Sequence, residues 1–381
     1  MNRLHLFLSV VSLAGCVSLD QTGGADDDGA MGKADGASSA LFGASGPSEL
    51  VLEAPLAPAF KAARAGEPDG IFPLPRKTDP FMGKIGYGDV LIDAELQLRG
   101  NSSLAECPFP KLKAKADKAQ AAGTMFDGAR KIKIATHCGE GGNGTIGRLR
   151  EEKATWREAA LYQAMRALMM PSQLAKPLSI TYRDTTTSEK ITRKAFIFEH
   201  VDLAAGRLGG TSLESPETWE GDPAQVMDMQ AIVRVHFFEA LVGNWDWHLR
   251  IGASKPGGGQ LWNIEAVQLG DKLVPLAQDF DLSSAVTGNL VADDDIDPKI
   301  LPGKPPLVRQ AGSYLASEYG PQFSDSELHA ARDHFTARRA ALEQALADAP
   351  VDDEGRANLS AHVAAFYEAL DHLDEIMAAV R

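Results

Sequence analysis

Three segments of the chain alternate polar and apolar residues with a period of two. They are Asp93-Ala94-Glu95-Leu96-Gln97-Leu98, Pro110-Lys111-Leu112-Lys113-Ala114-Lys115-Ala116 and Arg130-Lys131-Ile132-Lys133-Ile134-Ala135. Successive side chains of a strand point to opposite faces, so the apolar residues share one face and the lysines the other. The pattern predicts three strands of one antiparallel sheet with a covered face and a solvated one. Arg99-Gly100-Asn101-Ser102-Ser103 supplies a turn after the first strand.

The rest of the chain is organised around that sheet. Glu151 to Met169 reads as a helix with Leu161, Ala164, Met165 and Leu168 on one side, closed by Pro171. Ser179–Tyr182 and Arg193–Glu199 are further strands on either side of a Thr-rich turn. Asp222-Pro223, a cap followed by a first-turn proline, opens a second helix whose apolar face carries Met229, Val233, Phe237 and Ala240. It runs into Gly243-Asn244-Trp245-Asp246-Trp247-His248. Gln260–Val267 and Lys272–Ala277 form a hairpin about Gly270-Asp271. Beyond Leu307 the chain is helical: Ser324 and Glu327 make a capping box for one helix to about Leu346, and Leu359 to Val380 forms the last.

The N-terminus carries an address. Arg3, the apolar stretch Leu4–Ala14 and Leu13-Ala14-Gly15-Cys16 resemble a bacterial lipoprotein signal, which implies cleavage after residue 15, a lipid on Cys16 and an extracytoplasmic, membrane-tethered chain. From there to Ser48 the sequence is rich in Gly, Ala, Ser and Asp without hydrophobic period, the composition of an acidic tether. In such a compartment Cys107 and Cys138, with no CxxC or HxxxH spacing, read as a disulfide. A catalytic thiol beside His137 is the excluded alternative if they are bridged. With 38 basic against 52 acidic residues and a net charge of −14, nucleic acid is not an expected partner.

Two acidic clusters end apolar segments. Asp246 follows the second helix, and Asp279-Phe280-Asp281 follows the strand Leu273–Ala277. A carboxylate that takes a hydroxyl proton, near one that holds a divalent cation, suits phosphoryl transfer. The order of parts is a lysine strand, a helix with Glu158, a strand ending at Glu199, a helix, a loop with Asp246 and His248, a hairpin and Asp279-Phe280. With Arg99-Gly100-Asn101-Ser102, Asn244-Trp245-Asp246 and Asp279-Phe280-Asp281, roughly Leu91 to Val286 resembles the CotH family of secreted atypical protein kinases. Phe126-Asp127-Gly128 and Lys131–Cys138 are closer to an uncharacterised bacterial branch of that superfamily.

The resemblance implies an α+β, protein-kinase-like two-lobed fold, with a strand-rich lobe over 49–200 and a mainly helical one over 201–381. It implies ATP with Mg²⁺ or Mn²⁺, a protein Ser/Thr acceptor, Asp246 and Asn244 in the catalytic loop, and Asp279 and Asp281 at the metal. The family's metal-binding Asn falls on Ile251, and Asn263 could supply that amide from a longer loop. For the phosphate-contacting lysine paired with Glu158, Lys133 is expected, with Lys131 or Lys113 as alternatives. Arg99, Gly100, Asn101 and Ser102 would cover the phosphates. His248 is expected to brace the loop, and Trp245 and Trp247 to pack. The rival reading is a kinase-like lipoprotein without catalysis, acting as a binding scaffold.

Overall fold

The computed structural model describes residues 40–64, 78–100, 102–144, 146–252, 259–290, 296–317 and 320–381. Cys16, the leader, the tether as far as residue 39, and Asn101 lie outside them. Seven strands form a closed barrel: β1 (Glu49–Ala54), β2 (Phe81–Tyr87), β3 (Val90–Leu98), β4 (Leu112–Ala116), β5 (Lys131–Ala135), β6 (Ala175–Asp184) and β7 (Lys190–Glu199). Their order is β1-β2-β3-β4-β5-β7-β6, antiparallel throughout except where β1 meets β6 in parallel and closes the ring. The three alternating segments are adjacent strands β3, β4 and β5, with Leu112 facing Ile134 and Lys113 facing Lys133. Leu96, Leu112, Ala114, Ile132 and Ile134 fill the interior, as the period of two requires.

Short helices α1 (Leu56–Arg64), α2 (Ser102–Glu106) and α3 (Lys118–Ala121) connect the first strands. The helix α4 (Glu152–Ala167) is buried on nearly every side. Its Trp156 indole donates to the carbonyls of Leu178 at 3.1 Å and Ala195 at 3.0 Å, which fastens it to β6 and β7. On its other side Arg157 is gripped by Asp352 at 2.9 and 2.7 Å. Residues 40–48, read from sequence as the end of the tether, are packed instead. Leu41 is fully buried, and Gly43 accepts from Lys176 at 2.8 Å, because one apolar pair in a polar stretch is enough to dock it.

The second half packs on a second hydrophobic core, to which α4 and the ends of β5 and β7 also contribute. Its elements are α5 (Val201–Leu208), β8 (Thr211–Ser212), α6 (Pro223–Val226), α7 (Met229–Val242), β9 (His248–Leu249), β10 (Leu261–Trp262), β11 (Ile264–Leu269), β12 (Lys272–Ala277), α8 (Ser284–Thr287), α9 (Pro306–Leu315), α10 (Asp325–Ala347), α11 (Asp353–Asp371) and α12 (Leu373–Val380). The chain is thus mixed α and β, strand-rich first and mainly helical after. Two expected helices prove to be pairs. The helix opened by Asp222-Pro223 stops at Met227, and Asp228 caps α7 anew through the N–H groups of Gln230 and Ala231. The last helix begins at Asp353 rather than Leu359 and breaks at His372. The capping box at Ser324 is present as read, and Gly270 turns the β11–β12 hairpin with φ of 62°.

Candidate active site

Gly243 ends α7 in the left-handed region with φ of 62°, and a Cβ there would stand 2.8 Å from Gln310 Nε2. This sharp stop starts the Asn244–His248 loop directly off a buried helix. Asn244 is wholly buried: its amide donates to Glu239 Oε2 at 2.9 Å and its oxygen accepts the Asp246 N–H at 3.1 Å. Asn244 is therefore a brace inside the loop and not a group facing the cleft. Burial lifts the Glu239 carboxyl beneath it well above the carboxylate range.

The Asp246 carboxylate is held from a second element. Trp262 Nε1 donates to Oδ1 at 2.9 Å, and Asn263 Nδ2 donates to Oδ2 at 3.2 Å and to the Asp246 carbonyl at 2.6 Å. Burial raises Asp246 to about 6 against the Trp262 bond, with the negative charges of Asp279 and Asp281 adding to the rise. Asn263 thus reaches Asp246 from the far side of a long loop. Its amide orientation is fixed by these two donations.

The β11–β12 hairpin carries the third group. Gln278 N–H donates to the Asn263 carbonyl at 3.0 Å, so Asn263 and Asp279 flank the open end of the same hairpin. Both have positive φ, 54° and 63°, which Asn and Asp tolerate better than other non-glycine residues. Phe280 is fully buried between Tyr162, at 5.3 Å, and Phe238, at 5.5 Å, which anchors the Asp-Phe-Asp turn between α4 and α7.

The lysine that meets these carboxylates is Lys111, just before β4. Lys111 Nζ bonds Asp279 Oδ1 and lies 2.7 Å from Asp281 Oδ2. Burial by itself would lower Lys111, but Asp279 and Asp281 outweigh it and raise it. Glu158 is buried in the same electrostatic neighbourhood; desolvation lifts it to about 8, with Lys111 pulling the other way. The expected Lys133–Glu158 pair is not formed, and the lysine whose charge acts on Glu158 is Lys111. Lys133 instead bridges to the hairpin, at 2.7 Å from Glu265 and 3.0 Å from Gln278, over the Phe198 ring. Lys113 is exposed on β4, and Lys131 pairs with Asp202 at 3.5 Å.

Asp281 is 7% exposed and turned inward to Arg148 and Lys111, so it is not offered to the cleft as a second metal carboxylate. Arg99 lies 4.9 Å over Phe198, and Ser102 opens α2 and accepts from Arg148 at 3.3 Å. Gly100, with φ of 105°, only makes the turn between them. His248 packs near Trp262, and burial lowers it to about 4. Trp247 packs on the helical core as expected, whereas Trp245 is 50% exposed. Cys107 and Cys138 are bridged, which removes the thiol reading, and burial lowers the neighbouring His137 to about 4.

The side chains of Asp279, which keeps 29% exposure, Asn263 and Asp246 gather carboxylate and amide oxygens at one place. An all-oxygen set of this kind suits a hard divalent cation. Among the described residues no three His, Cys, Asp or Glu side chains gather as a metal cluster. Lys111, Arg148, Glu106 and Trp262 are the site residues that sequence reasoning missed. Lys111 stood inside an alternating segment, and nothing in its spacing set it apart from Lys113.

No family model and no curated protein matches the chain. Among solved structures, the chain is similar to a Shewanella oneidensis MR-1 structure of the toxin–antitoxin system HipA, HipB and its operator DNA, at 11% identity and a TM-score of 0.35, covering 81% of this chain and 66% of that one. It is also similar to the Helicobacter pylori proinflammatory kinase CtkA, at 10% identity and a TM-score of 0.32, covering 82% of this chain and 95% of that one. At these scores the likeness carries no inference about activity.

Proposed function

We propose that this chain is a kinase-like phosphotransferase that moves the γ-phosphoryl group of ATP, with Mg²⁺ or Mn²⁺, to a hydroxyl acceptor. The observation that supports it most is the convergence of Asp246, Asn263, Asp279 and Lys111 from four separate stretches of chain. Asp279 and the Asn263 oxygen would hold the cation, which neutralises phosphate oxygens when bound. Lys111 supplies a buried positive charge for the phosphates. Asp246, at about 6, is ionised at neutral pH yet basic enough to accept a proton, so it orients and deprotonates the acceptor hydroxyl. The bond from the γ phosphorus to the β–γ bridging oxygen breaks, the acceptor oxygen bonds to the phosphorus, and its proton passes to Asp246.

The CotH-like order of motifs adds a finer reading: a protein Ser or Thr acceptor, and an extracytoplasmic enzyme tethered through lipid on Cys16. The test is thermal unfolding of the chain with and without ATP and Mg²⁺ or Mn²⁺, beside Asp279→Ala. A ligand bound only by the folded state raises the midpoint with its concentration. A cation-dependent rise that vanishes in Asp279→Ala supports the reading. No rise in the folded wild type moves the assignment to a binding scaffold without catalysis.

A further inference from the structure

Arg148, in the loop before α4, is the most connected charge of the site. It is 4% exposed. Its Nε donates to Asp281 Oδ2 at 2.7 Å, its Nη2 to Asp281 Oδ1 at 3.5 Å and Ser102 Oγ at 3.3 Å, and its Nη1 to Glu106 Oε2. Glu106 is itself pinned, since its Oε1 accepts the Ile146 N–H at 2.7 Å. The loop closes tightly about that carboxylate: a Cβ on Gly144 would stand 2.8 Å from Glu106 Oε1. Cys107, the next residue, is bridged to Cys138, and Phe109 N–H donates to the Cys138 carbonyl at 2.9 Å. The short run from Glu106 to Lys111 is thereby tied down at both ends.

Two features of this arrangement go beyond holding the fold. A guanidinium presents its donors as a planar fork, so one side chain can hold Asp281 on one edge and Glu106 on another, which an ammonium cannot do at fixed geometry. Both Asp281 oxygens are engaged by Arg148, and Oδ2 is shared with Lys111, whose Nζ also reaches Asp279. The position of Lys111, and hence the freedom of Asp279, depends on where Asp281 is held.

We infer that Arg148 is a positioning residue: clamped between Glu106 and Asp281, it keeps Asp281 away from the cation and sets Lys111 beside Asp279, so that Asp279 is the single carboxylate of the Asp-Phe-Asp turn offered to the metal. This rests on the phosphotransferase reading. Without the fork, Asp281 is free to turn toward the cation and compete with Asp279 for it. Loss of an outer partner of this kind costs about 10- to 100-fold in metal affinity.

The experiment measures ATP affinity of the full chain by thermal shift, with and without Mn²⁺, for wild type, Arg148→Lys and Glu106→Gln. In Arg148→Lys the gain in ATP affinity that Mn²⁺ confers is expected to shrink by about 10- to 100-fold, with a smaller loss of affinity for ATP alone through the displaced Lys111. Glu106→Gln keeps an acceptor for Ile146 and weakens only the charge on Arg148. It should lose part of the same Mn²⁺-dependent gain, and it carries the test if Arg148→Lys does not fold. Wild-type affinities in the folded variants, or equal losses with and without Mn²⁺, overturn the role of Arg148 alone. No Mn²⁺-dependent gain in the wild type overturns the phosphotransferase reading and this inference with it.

Discussion

Glu158→Gln is the perturbation whose outcome follows most directly from the burial of the site. Glu158 is 3% exposed, and burial raises it from an ordinary 4.5 to about 8. Between those two values the folded chain keeps a proton on Glu158 that the unfolded chain has released. Because the unfolded state then binds fewer protons, stability falls as pH rises, by about 1.4 kcal/mol per unit for one full proton. Summed across the window, this is on the order of 4 kcal/mol. Glutamine has the shape of the protonated acid and cannot ionise. The wild type should therefore lose stability relative to Glu158→Gln as pH climbs from 5 to 8, with the two curves parallel below pH 4. Urea unfolding midpoints at half-unit pH intervals measure this, since titrating groups remote from Glu158 cancel in the difference. Parallel curves from pH 5 to 8 would refute the reasoning, because they would mean that Glu158 is ionised in the folded chain and fully paired.

Trp262→Phe removes a donor from the Asp246 carboxylate, a charge-assisted bond worth about 1.5–3 kcal/mol, so Asp246 should rise by about one to two units. The acid limb of the pH profile of ATP turnover should move up with it, and an unmoved limb would show that Asp246 is not the group titrating. Reducing the Cys107–Cys138 bridge, whose ends are 31 residues apart, should lower unfolding stability by roughly 3–4 kcal/mol. Equal denaturant midpoints with and without reductant would contradict that. Gly243→Ala forces a Cβ into a left-handed turn at 2.8 Å from Gln310 Nε2, and a cost of at least about 1–2 kcal/mol should appear as a lower melting temperature.

What the sequence made legible was whatever depends on neighbours along the chain. The period of two in Leu112–Ala116 and Lys131–Ala135 found β4 and β5, and Ser324 with Glu327 found the start of α10. The carboxylates Asp246 and Asp279 stood out because each ends an apolar element. What it missed depends on neighbours in space. Lys111 has the same parity as Lys113 and Lys115, so alternation alone placed it on the solvated face. It is buried because the Asp279–Asp281 turn, some 170 positions later, covers that end of the strand. Lys133 was preferred for its closeness to α4, yet Glu265 and Gln278 claim it across the gap. Asn263 was legible only as a candidate to replace Ile251, and its contact with Asp246 depends on how the intervening loop folds back. Strand β1 lacked any local signal of its partner, because its place is fixed by a parallel pairing with residues far downstream.

That pairing also sets an order for assembly. Glu49 aligns with Ser179 and Ala54 with Asp184, and β6 reaches β5 only through β7, so the first strand waits for the sixth and seventh before the ring can shut. Until then β1 and β6 each present a row of unpaired N–H and C=O groups, the kind of edge onto which another chain can add. The mature barrel lacks that liability, whereas a nascent or truncated chain ending before β6 has it in full. For this protein the vulnerable interval is the time needed to synthesise the β1-to-β7 stretch, and a chaperone that shields extended segments would matter most within it.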